Sequence, residues 1–236
     1  MLVLSLFPGI DILWRAFEEE WPEACLVRGP DLLWGGDIKT FHPPAGKFDG
    51  VIGGPPCQFA SISNRGPNAA YHENLIPAFE RCVAEAAPAW FLMENVPPAP
   101  FPSVRGYAVM AVLLDNRKLG EVQMRCRRFC FGTPAGLTLE PFIEWAPLEA
   151  FEREYAVLAS EHKGQTFPGA IGRKKYLKGR TLARRCTLQG LPADFTDSLP
   201  FTAAAKSIVI GNGVPLPMGR AIARAVKRAL ATSGRT

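Results

Sequence analysis

Three short apolar runs, Leu2–Phe7, Phe48–Ile52 and Trp90–Met93, each stop at residues that do not continue a strand. Pro8-Gly9 ends the first, Gly53-Gly54-Pro55-Pro56 follows the second, and Glu94-Asn95 ends the third. Apolar runs of this length bounded by turn residues are buried strands. Amphipathic stretches lie among them. Asp11 is expected to cap a helix through Glu20 with Ile12, Leu13, Ala16 and Phe17 on one face. Residues 73–87 carry a second stripe at Leu75, Ile76, Phe79, Cys82, Val83 and Ala86, and Ala24–Val27 reads as a further strand. Strands alternating with helices specify an α/β fold, a doubly wound and mostly parallel sheet with helices on both faces. In that architecture working residues gather beyond the carboxyl ends of the strands, where Phe-Pro-Gly, Pro-Pro-Cys and Glu-Asn all fall.

The periodicity changes after Phe131-Gly132. Residues 134–178 are expected to form a small inserted module, with one helix around 148–159, between the two parts of a body spanning 1–133 and 179–236. Met218–Leu230 closes the chain as a basic helix with Ile222, Ala225, Val226 and Ala229 inward. At 236 residues and 47% hydrophobic content the chain can bury one α/β core plus an appendage. No apolar run reaches the roughly 20 residues of a membrane span, and MLVLSLFPG carries no basic leader, so a cytoplasmic protein is expected. Six cysteines without a CxxC pair read as reduced thiols, and Cys126 with Cys130 lacks the partners of a zinc set, so no metal is expected. The net charge of +5 is uneven: residues 1–133 hold 12 Lys and Arg against 14 Asp and Glu, residues 134–236 hold 15 against 8. Eight basic residues and no acidic one lie between His162 and Ala193. Such a cluster favours a polyanion, although a solvated basic face would carry the same charges.

Taken in order, LSLFPGI (4–10), GDI (36–38), GGPPCQ (53–58), ENV (94–96), QMRCRR (123–128), GRTLARRCTLQGLPADF (179–195) and GNGVP (211–215) resemble the DNA cytosine-5 methyltransferase family. The resemblance spans nearly the whole chain except 134–178. It implies the sheet of the S-adenosylmethionine-dependent methyltransferases, with 134–178 as a target-recognition module. It also implies transfer of a methyl group from S-adenosylmethionine to carbon 5 of a cytosine flipped out of double-stranded DNA, by a monomer without an obligatory protein partner. Carbon 5 is a poor nucleophile, so a thiolate must first add to carbon 6, which splits one hard step into easier ones. Cys57 matches that nucleophile, on a backbone restricted by Pro55-Pro56. Glu94 matches the carboxyl group that stabilises the adduct at ring nitrogen 3. Arg125 and Arg127 match the paired arginines that contact the base oxygen and neighbouring backbone; Arg128 is an additional charge, and Asn95 fixes the loop.

For the cofactor the resemblance assigns Phe7, Pro8, Gly9 and Ile10 to the first turn and Asp37 with Ile38 to the adenine. Pro55, Asn212 and Val214 complete the pocket. Gln58, Ser61, Gln165, Arg173, Lys174, Lys175 and Arg180 are the DNA-contact candidates. Two places depart from the family pattern. Asp11-Ile12 stands where a glycine pair is usual, and CLVRGPD offers only Asp31, displaced, as the acid for the ribose hydroxyls. The short insert implies a short or loose recognition sequence. RNA as the polymer, a DNA-binding member without turnover, and transfer of another one-carbon group are the alternatives.

Overall fold

The computed structural model describes residues 1–60, 72–140, 154–159, 161 and 180–232. Six strands form the central sheet: β1 (Leu2–Leu6), β2 (Cys25–Arg28), β3 (Gly50–Gly53), β4 (Trp90–Asn95), β5 (Ala108–Asp115) and, after the two-residue β6 (Gln123–Met124), β7 (Cys126–Thr133). Their order is β2-β1-β3-β4-β7-β5. β1 to β4 pair in parallel, and β7 runs antiparallel between β4 and β5. The predicted parallel sheet is therefore present, with an antiparallel hairpin at one edge. β6 pairs in parallel with β8 (Glu154–Tyr155).

Side chains alternate across the sheet, as a strand period of two requires. Val3, Ile52, Trp90, Leu92, Phe129 and Phe131 face one core, with α1 (Ile12–Glu20) and the last helix (216–232) packed over it. Leu4, Leu6, Val51, Phe91, Met93 and Cys130 face the other, covered by α2 (Ile76–Ala86). Two glycines make room for aromatics on neighbouring strands. A Cβ on Gly50 would stand 2.2 Å from the Trp90 ring, and one on Gly132 2.1 Å from Phe91. Thr181 and Thr202 accept from Arg184 N and Ala205 N, capping α3 (Leu182–Leu188) and α4 (Ala203–Asn212). Cys186, Leu188, Leu191, Ile210 and Leu216 join Ile12, Ala16 and Val157 in a third cluster at the base of these helices.

The closing helix, α5 (Leu216–Thr232), lies against α1, where Gly219 would place a Cβ only 2.7 Å from that of Ala16. Arg220, Arg224 and Lys227 of α5 pair with Glu19, Glu20 and Glu23. The basic face predicted for this helix thus meets the acidic end of α1.

Two local expectations are corrected. Asp11 occupies the N-cap position of α1 but makes no capping bond; it adopts φ 60° and its carboxylate pairs with Arg28. In the described part of 148–159, residues 154–155 form β8 rather than a helix, because their edge is taken by Gln123–Met124. Among the described residues no helix is long and apolar enough to cross a membrane.

Candidate active site

A cavity of about 560 Å³ opens at the carboxyl ends of β1, β3 and β4. It is lined by every residue the sequence assigned to the cofactor: Phe7, Pro8, Gly9, Ile10, Asp37, Ile38, Pro55, Asn212 and Val214. Cys57, Gln58, Glu94 and Arg127 line the same space. Parallel pairing of β3 with β4 brings the ends of GGPPCQ and ENV side by side, Gly53 being in register with Met93. A Cβ on Gly53 would lie 2.8 Å from Leu6 O, and one on Gly54 3.2 Å from Glu94 Oε2, so both glycines permit close approach. Asn95 Nδ2 donates to Pro55 O at 3.0 Å, and its Oδ1 accepts from Val96 N at 2.9 Å. Asn95 therefore ties the end of β4 to the loop of residues 55–57.

Glu94 is buried, and its Oε1 lies 2.9 Å from Arg127 Nε. Arg127 Nη1 donates to Cys126 O. Burial raises the Glu94 carboxyl above the ordinary carboxylate range, outweighing the opposing charges of Arg127 and Arg125. Burial likewise raises the Cys57 thiol; Arg127 opposes that shift, the Glu94 charge adds to it and Arg125 opposes it. Glu94 and Cys57 are thus both biased toward their protonated forms.

On the other side of the cavity the first turn is tied to the segment after β2. Gly9 N donates to Asp31 Oδ2 and Leu33 N to Asp31 Oδ1, both at 2.8 Å. Trp34 Nε1 donates to Gly9 O at 2.6 Å. The two departures from the family pattern meet here: Asp11 of the turn is paired with Arg28 at the end of β2, while the displaced Asp31 lines the cavity. Asp31 Oδ atoms keep lone pairs beyond these backbone donors, and Asp37 Oδ1 accepts from Lys39 N at 2.9 Å. Two carboxylates beside apolar side chains such as Phe7, Pro8 and Ile38 would suit a ligand with ribose hydroxyls, an amine and an adenine ring. Sequence reasoning missed Arg81 of α2, whose Nη2 donates to Ile38 O at 2.7 Å and Phe41 O at 2.9 Å, fixing the loop that follows Asp37. No motif marks it; in the sequence it is one charge of an i,i+4 pair with Glu85.

Arg125 does not line the cavity. It is 2% exposed, and its guanidinium donates to Val157 O (2.8 Å), Gly211 O (2.8 Å) and Gly213 O (2.9 Å), straddling Asn212. Burial lowers its pKa to about 9. Gln189 Nε2 adds bonds to Ile210 O and Gly213 O, and Gln123 Oε1 accepts from Val157 N. Arg125, expected to contact the base, is instead a buried clamp on the main chain around Asn212. Arg128 is also buried, donating to Pro97 O, Ala99 O and Pro100 O.

Arg180, expected at the DNA surface, is turned inward. It pairs with Glu161 at 2.5 Å and donates to Tyr155 O and Ala156 O, because Glu161 is buried and requires a cation. Arg185 also pairs with Glu161, and Arg184 with Glu154. All three described members of the basic cluster are therefore ion-paired within the fold, sharing Glu154 and Glu161. Ser61, Gln165, Arg173, Lys174 and Lys175 lie outside the described residues.

The fold is that of the methyltransferases. A Schizosaccharomyces pombe Dnmt2 methyltransferase superposes with TM-score 0.67 at 15% identity over 99% of both chains. The Entamoeba histolytica methyltransferase EhMeth gives 0.63 at 12% identity, over 99% of this chain and 98% of that one. Residues 35–99 match the family model of the C-5 cytosine-specific DNA methylases. The type II methyltransferase M.HgiDI of Herpetosiphon aurantiacus is 33% identical over 105 residues, 40% of this chain and 32% of that protein. M.DdeI of Desulfomicrobium norvegicum is 31% identical over 144 residues, 52% of this chain and 34% of that protein. The matched stretches thus span about a third of the length of these relatives. Together the family-model match and the type II relatives support the DNA cytosine-5 methyltransferase family for the chain.

Proposed function

We propose that the protein methylates carbon 5 of cytosine in double-stranded DNA, with S-adenosylmethionine as methyl donor. The observation that carries this reading is the convergence of Cys57, Glu94 and Arg127 on one cavity with all nine donor-site residues. Phe7 to Ile10, Asp31, Asp37, Ile38, Pro55, Asn212 and Val214 would hold the donor, and its volume suits a cavity of this size. Bound there, the sulfonium supplies an electrophilic methyl group.

Cys57 Sγ, as thiolate, forms a bond to carbon 6 of the flipped base. The electron pair displaced from the ring double bond reaches nitrogen 3, where the Glu94 carboxyl gives up its proton. Carbon 5 is thereby made nucleophilic and can accept a methyl group. A water molecule then takes the carbon 5 proton, which expels Cys57 as thiolate and returns the double bond, while nitrogen 3 gives its proton back to the Glu94 carboxylate. Arg127, fixed through Glu94, presents the rest of its guanidinium to the cavity, suited to the base oxygen. Arg125 acts indirectly, by holding the main chain on either side of Asn212.

The test is incubation with labelled S-adenosylmethionine and unmethylated duplex DNA, followed by mapping of modified cytosines. Label at carbon 5, lost in Cys57→Ala, is the expected result. Absence of label on DNA with donor binding intact would overturn DNA as the substrate, and full turnover by Cys57→Ala would overturn the mechanism.

A further inference from the structure

Phe101 is 58% exposed, although a phenylalanine buried in a core would contribute favourably. It stands in the segment Pro97-Pro98-Ala99-Pro100-Phe101-Pro102, which leaves the end of β4 just past Glu94. Its position is nevertheless fixed. The Arg128 guanidinium carbon lies 4.1 Å from the ring centroid. Arg128 is held by its bonds to the carbonyls of Pro97, Ala99 and Pro100. Four prolines in six residues further restrict the chain. One face of the ring is thus backed by a buried cation, and much of the residue remains open to solvent.

The ring belongs to the catalytic end of the sheet. Arg128 pairs in register with Asn95, and its neighbour Arg127 contacts Glu94. Ala99 and Val104, on either side of Phe101, are buried in the same cluster that Phe59 and Ala60 pack against, just after Cys57-Gln58. A rigid, exposed aromatic face at this end of the sheet is a surface for another flat apolar group. Resting on the function proposed above, we propose that Phe101 is a stacking platform for a nucleobase adjoining the target cytosine. When the cytosine leaves the helix its neighbours lose a stacking partner, and an aromatic ring can replace it whatever the base. A stack of this kind is worth between about five-fold and about a hundred-fold in affinity.

The experiment uses the duplex whose cytosine the methylation map identifies, with 2-aminopurine placed next to the target. Wild-type protein should quench the probe on binding. Phe101→Leu, which keeps an apolar side chain but removes the π face, should bind this duplex at least about five-fold more weakly and leave the probe brighter. Its affinity for S-adenosylmethionine should be unchanged, which reports an intact fold. Phe101→Trp should restore both quenching and affinity. Equal binding and equal quenching by wild type and Phe101→Leu would overturn the proposal. A wild-type chain that binds no duplex at all would overturn the parent reading, and this one with it.

Discussion

Replacing Arg125 with Met separates two meanings of the same arginine. The substitution removes three donors from the buried carbonyls of Val157, Gly211 and Gly213. Gly213 O keeps its bond from Gln189 Nε2, and each of the two carbonyls left without a partner costs about 1–3 kcal/mol. The loss is partly offset, because a guanidinium whose pKa is depressed to about 9 is already paying for its burial. Its Nε, buried and without a hydrogen-bond partner, adds to that strain. A net destabilisation of roughly 3 kcal/mol remains. In urea, with a slope of about 3 kcal/mol per molar for a chain of this size, the midpoint should fall by about 1 M. Since Gly211 and Gly213 flank Asn212, affinity for S-adenosylmethionine should fall roughly ten- to a hundred-fold. Urea unfolding followed by tryptophan fluorescence and calorimetric titration of the donor measure both. An Arg125→Met variant with unchanged midpoint and donor affinity, but without turnover, would refute the clamp and restore Arg125 as a base contact.

Glu94→Gln should lower methyl transfer by about two to four orders of magnitude. The same change removes a negative charge that raises the Cys57 thiol pKa, so alkylation of Cys57 by iodoacetamide should become faster; slower or unchanged alkylation would contradict the site's electrostatics. The native state holds the Glu94 proton at pH values where the unfolded chain has already released it. This contribution to stability is therefore present at low pH and lost as pH rises through the window between the ordinary and the raised carboxyl pKa. Denaturant melts across that range should show a decline that Glu94→Gln flattens. Gly132→Ala should cost about 1–3 kcal/mol, because the Phe91 ring in its way is flanked by Phe79 and Tyr107. Adding Phe91→Leu should make the pair less damaging than the sum by at least about 1 kcal/mol in double-mutant unfolding; strict additivity would show that the ring yields freely.

Much of this site is legible in the chain because its parts are local. A strand that ends in Pro-Gly, Pro-Pro-Cys or Glu-Asn carries its own address, and parallel pairing alone assembles the three. Glycine, proline and carboxylate at strand ends need no knowledge of the rest of the fold. The arginines are different. Arg125, Arg127 and Arg128 are neighbours in sequence, yet one clamps the Asn212 loop, one contacts Glu94 and one holds the proline segment. Strand alternation sends successive side chains to opposite faces, but which of them finds a carbonyl and which a carboxylate depends on segments up to 88 residues away. The same holds for Arg180, where a count of charges pointed to DNA and the partner, Glu161, lay 19 residues back. The antiparallel pairing of β5 with β7 is a property of the sheet edge that no local run announces. The Asp11–Arg28 pair turns two separate irregularities of the sequence into one contact that neither reveals alone.

The way residues 154–161 are fastened bears on how such a protein can change over generations. Gln123 holds Val157 through its main-chain N–H, Arg125 through its carbonyl, and Arg180 reaches the carbonyls of Tyr155 and Ala156. Gly211 packs so closely that its Cβ would stand 2.3 Å from Ala159 N. These fastenings grip the backbone and are indifferent to most side chains it carries. Side chains along 154–159 can therefore change without loosening the body to which that backbone is fastened, and a lineage could vary what this stretch presents while inheriting the fold around it unaltered.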